Sequence, residues 1–93
     1  MIKYNKKCDN PVKFRFVVLT DNDNILEVLY ETSREYDGPR DPVWRNTCYH
    51  KVIELNERYD FDDYENCPKI EIQICCNGVW KFHKNVIDYW FSL

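Results

Sequence analysis

The sequence predicts an α+β fold, an antiparallel sheet of about four strands packed on one main amphipathic helix. The expected order is β-β-α-β-β followed by an apolar C-terminal segment. Three observations predict it. Residues 12–20 and 69–76 alternate apolar and polar side chains, as half-buried strands do. Residues 41–61 repeat apolar side chains at helical spacing. Asn77-Gly78 joins two strand-like runs and is the residue pair that a type I′ hairpin turn selects.

The first strand, 12–20, is rich in β-branched and aromatic residues, and Val12, Phe14, Phe16 and Val18 share one face. Residues 21–24, Asp-Asn-Asp-Asn, form a polar turn cluster. Segment 25–38 has two readings. As a strand it points Leu26, Val28 and Tyr30 inward and completes a hairpin with 12–20. As a helix it uses Asn24 as N-cap, Glu27 at N3 and Gly38 past its end. The β-branched and aromatic residues of its first eight positions favour the hairpin.

The main helix starts at Asp41, a good N-cap, with Pro42 suited to its first turn. Trp44, Cys48, Val52, Leu55 and Tyr59 form its apolar stripe, which Tyr49 and Ile53 widen. It is expected to end near residue 60, with Pro68 closing the loop that follows. In the next strand Ile70, Ile72 and Ile74 point inward, and 79–84 returns from the turn. Residues 85–93 read as either a further strand or a short terminal helix.

The chain of 93 residues is expected to be a single domain, with residues 1–10 as a flexible basic arm. No apolar run approaches the ~20 residues that span a bilayer, so no membrane partner is expected. The first ten residues lack an apolar h-region, so a cytoplasmic location is expected, the host cytoplasm if a phage encodes the chain. Five cysteines, an odd number without a secretory signal, argue for reduced thiols over a disulfide framework. There is no alanine, there are two glycines, and Asn, Lys, Ile, Tyr and Asp abound. That usage suits an AT-rich genome of the phage or mobile-element kind.

Charge is unevenly spread. Residues 1–20 carry a formal +4, residues 21–65 carry −8, and residues 66–93 carry +1. The acidic block is densest at "YDFDDYENC", 59–67, directly after the main helix. A calcium loop counted from Asp60 places Asp62 and Glu71 well, yet puts Tyr64 at the fifth position and Glu65 where the turn needs glycine. No cofactor or metal is therefore expected at this stretch. Tight zinc spacings are also missing, although Cys67, Cys75, Cys76 and His83 occur in order. For thiol catalysis, Cys48 and His50 lie about 200° apart around a helix. A regular two-residue hairpin sets Ile72, not a cysteine, opposite His83.

Three functions remain in view. The one we expect is a small non-enzymatic interaction protein of phage or mobile-element type. It would bind and inhibit a basic, nucleic-acid-processing host protein, such as a CRISPR or other defence effector. Its partner-binding surface would be Glu54, Glu57, Asp60, Asp62, Asp63, Tyr64 and Glu65, acids flanked by rings that serve as anchors. The first alternative is a cysteine- or metal-dependent small enzyme using Cys75, Cys76 and His83. The second is a nucleic-acid-binding module using Lys3, Lys6, Lys7, Lys13 and Arg15, although the overall acidity argues against direct nucleic-acid binding. An exposed edge strand also offers a route to a homodimer.

Overall fold

A computed structural model describes residues 12–32, 35–36 and 41–93. The basic positions Lys3, Lys6 and Lys7, the arm 1–10 and Gly38 lie outside the described residues. The elements are β1 (Lys13–Leu19), β2 (Ile25–Glu31), α1 (Pro42–Tyr59), β3 (Lys69–Cys76), β4 (Val79–Asn85) and α2 (Val86–Phe91). A 3₁₀ segment, Phe61–Asn66, lies between α1 and β3. The strands form one antiparallel sheet in the order β2-β1-β3-β4. No helix of the described residues is long and apolar enough to cross a membrane.

The β1–β2 hairpin resolves the ambiguity of 25–38 in favour of the strand. Thr20 organises its turn, its Oγ1 accepting from the backbone N–H groups of Asn22 and Asn24. At the other end, the buried Thr32 hydroxyl accepts from the Phe14 N–H at 3.1 Å and sits 3.3 Å from the Phe14 carbonyl oxygen. The facing of β2 differs from plain alternation. Register shifts after Phe16 and after Val18 make Tyr30 the partner of Phe16 and Val28 the partner of Val17. Leu29 and Tyr30 therefore pack toward the core, while Leu26 is 67% exposed and Val28 43% exposed. An extra residue in one strand turns the following side chains over to the opposite face.

Helix α1 begins as its cap chemistry dictates, with Asp41 Oδ1 accepting from the Val43 N–H at 2.8 Å. Its inner stripe is Trp44, Cys48, Val52 and Leu55, all buried. Tyr59 and Ile53 are half-buried, and Tyr49 faces solvent. Those four residues meet Phe14, Phe16, Val18, Ile70 and Ile72 from the sheet in one core. The ring of Trp44 packs edge-on to Phe14 at 5.0 Å and to His83 at 5.4 Å. Its buried indole N–H has no hydrogen-bond partner among the described residues.

Asn77 and Gly78 both take positive φ, 54° and 83°, as a type I′ turn requires. A bulge between Ile72 and Gln73 then shifts the register, so Ile72 faces Lys84. The C-terminal segment is a helix. Asn85 caps it, its Oδ1 accepting from the N–H groups of Ile87 and Asp88, and Val86 is buried. One cysteine departs from expectation: Cys48, Cys67 and Cys75 are free thiols, but Cys76 is disulfide-bonded. An odd count rules out complete pairing and still leaves room for one bridge.

Candidate acidic docking surface

The acidic stretch is a junction built on a buried ring. Asp60 ends α1 in the left-handed conformation, φ 53°, and its N–H bonds the Asn56 carbonyl at 2.8 Å. Asn56 Oδ1 accepts from the Phe61 N–H at 2.7 Å, which satisfies a donor at the bend. Phe61 is 0% exposed and packs in the core beside Trp90, 6.1 Å between ring centroids. Burying this one ring leaves the acids on either side in water.

Glu54, Glu57, Asp60, Asp62, Asp63 and Glu65 are all exposed. Glu54 is paired with Lys51 at 2.8 Å. The other five carboxylates have no ion-pair partner among the described residues. Two of them are held by neutral donors instead. Asp62 Oδ1 accepts from Trp90 Nε1 at 3.2 Å, and both Asp63 oxygens lie 3.0 Å from Asn66 Nδ2. The Trp90 bond ties the junction to α2, which adds Asp88 on an exposed turn. Tyr64 lies in the 3₁₀ segment, and the contacts of its side chain fall outside what is described.

Cys67 closes the junction from below. Its thiol donates toward the carbonyls of Tyr59 and Asp60 at 3.0 and 3.2 Å. Burial, then the Asp63 and Asp60 carboxylates, push its pKa above the ordinary value. The thiol therefore stays protonated and acts as a hydrogen-bond donor, unsuited to nucleophilic attack.

The rings of the stretch divide between two roles. Phe61 belongs to the core, and Tyr59 packs partly against it while Arg58 lies over its outer face at 4.9 Å. The sequence signal of rings among acids is thus largely explained by core packing. Trp90, absent from the sequence-derived set, is the aromatic residue that orders an acid here. Nothing local marks it, because it lies 28 residues beyond Asp62.

The thiol and imidazole set does not assemble. Cys75 pairs with Trp80 on the face of the sheet away from α1, whereas His83 packs on Trp44 of α1 itself. Burial, then Lys84, holds the His83 pKa below its ordinary value. Cys48 is fully buried, and that burial raises its pKa to about 11. Among the described residues, no three His, Cys, Asp or Glu side chains come together as a metal site would require. No family model matches the chain, and neither a curated protein nor a solved structure does so.

Proposed function

We propose that this protein acts without catalysis, by docking its acidic junction onto the basic surface of a nucleic-acid-handling protein and occupying the groove meant for phosphates. The observation that supports this reading is the row of exposed carboxylates from Glu57 to Glu65. They lack cationic partners among the described residues and sit on a bend anchored by the buried Phe61 and by Asn56, with Trp90 bonded to the Asp62 side chain. Carboxylates held on a rigid frame present spaced negative charge at low ordering cost, and the surrounding field steers a cationic partner in. The AT-rich residue usage fits a phage or mobile-element product. A host defence effector of the CRISPR type is the matching class of target.

The cysteine-enzyme alternative loses its support, since Cys75 and His83 lie on opposite faces and Cys76 is bonded. For the nucleic-acid module, Arg15 is already stacked on Trp80 at 4.1 Å and bonded to Gln73.

The test is capture from a nuclease-treated host lysate by the wild-type chain and by the variant D60K/D62K/D63K/E65K. The reading expects a basic nucleic-acid-binding protein that the wild type retains, that added DNA displaces, and that the variant loses. Equal retention by the folded variant overturns the acidic-surface mechanism.

A further inference from the structure

Asp62 differs from the other acids of the junction in what stands beside it. Trp90 Nε1 donates to its Oδ1 at 3.2 Å, and its Oδ2 has no partner among the described residues. The Trp90 ring also packs across Phe61, with 6.1 Å between centroids and 63° between planes. Phe61 is fully buried, and α2 is itself held by the Asn85 cap and the buried Val86. The indole is therefore held at two points, yet it stays half-buried, with part of its surface in water. Asp62 is exposed beside it. The corner offers a fixed π surface and a carboxylate oxygen side by side.

The chain's own cations show what such rings attract. Arg15 lies over Trp80 at 4.1 Å, Lys51 over Tyr30 at 4.5 Å, Arg58 over Tyr59 at 4.9 Å and Lys84 over Tyr89 at 5.7 Å. Trp90 carries no cation among the described residues. The 3₁₀ segment and α2 supply none, since they contain Asp62, Asp63, Glu65 and Asp88 but neither Lys nor Arg. Indole is nonetheless the side-chain ring that holds a cation best.

Arg15 is a template for what is missing. Its guanidinium lies over the Trp80 indole while its Nε donates to Gln73 Oε1 at 2.8 Å. The Trp90 corner presents the same two groups, an indole and a side-chain oxygen, with a charged oxygen in place of the amide's. From this correspondence we infer that Trp90 and Asp62 form a binding site for an arginine side chain of the basic partner. The inference rests on the docking reading above and adds to it a choice between cations. A guanidinium is planar, so it stacks on the indole and still directs an N–H to Asp62 Oδ2, a charge-assisted bond. A lysine ammonium is compact and strongly hydrated, and it gains the attraction without the stack. The other acids of the row attract either residue alike.

Nitrogen–proton correlation spectra of the full chain read the site through the Trp90 indole N–H, identified by its loss in Trp90→Phe. The probes are acetyl-triarginine amide and acetyl-trilysine amide at equal ionic strength. The arginine peptide is expected to shift the Trp90 signal saturably and to bind about fivefold more tightly than the lysine peptide, the scale of an exposed cation–π contact. Asp62→Asn, at an exposed position, is expected to remove that margin. Equal affinities for the two peptides overturn the inference and leave the docking reading standing, because attraction to acids alone does not tell them apart. A Trp90 signal that stays still while the amides of residues 60–65 respond overturns it as well. The docking reading fails on a different result, equal retention of the lysate partner by D60K/D62K/D63K/E65K.

Discussion

The acidic junction and the sheet face turned away from α1 distribute charge in opposite ways. The junction carries one sign, with five carboxylates lacking ion-pair partners among the described residues, on a bend anchored by the buried Phe61. The sheet face carries both signs and pairs them internally through Gln73 and through Lys69–Asp23. Charge of one sign attracts an opposite charge, whereas charge paired within its own surface has less left to offer.

The sharpest way to break that contrast is to remove the ring beneath the acids. Phe61→Ala deletes a fully buried aromatic side chain and is expected to cost about 3–5 kcal/mol, read from urea unfolding. It is expected to abolish docking at the junction. If the variant keeps wild-type stability, Phe61 does not frame the junction and the contrast fails.

A milder cut goes to the bend itself. Asn56→Ala removes the acceptor of the Phe61 N–H and is expected to cost about 1 kcal/mol. Amide hydrogen exchange at residues 60–63 is expected to speed up while β3 and β4 stay protected. Uniform acceleration across the sheet would show that the junction has no local stability of its own.

The smallest expected effect separates the two sides of β4. His83 packs against Trp44, and its pKa in the folded chain lies below the ordinary 6.5. Above that value neither state is protonated there, so His83 contributes no pH dependence. As pH falls below it the unfolded chain takes up a proton that the folded chain resists, so stability declines with acidification. His83→Gln is expected to flatten this part of the stability curve, measured by thermal melts from neutral to mildly acid pH. An unchanged slope would show that another group sets it.

Much of the fold was legible because period and punctuation agree. The stripe from Trp44 to Leu55, the alternation of Phe14, Phe16 and Val18, and the Asn77-Gly78 turn each pair a pattern with a stop signal. Of the inward residues of β2, Tyr30 was legible, but Leu29 was not, and Leu26 and Val28 face outward instead. Bulges beside Phe16 and Val18 change the register, and neither leaves a glycine or proline in the sequence to mark it. The short α2 was ambiguous because a nine-residue apolar tail has no room for a period. At the junction the acids and their exposure were readable. The burial of Phe61, the Trp90–Asp62 bond and the bonded state of Cys76 were not, because each depends on tertiary placement.

The central claim is that unpaired charge at the junction drives docking on a basic partner. Its most direct test is the association rate constant of the captured partner with the wild-type chain and the D60K/D62K/D63K/E65K variant, from about 0.05 to about 0.5 M salt. The account predicts a wild-type rate that falls at least tenfold across that range, and a variant rate that starts low and varies little. Equal rates with equal salt slopes for the two chains would contradict it.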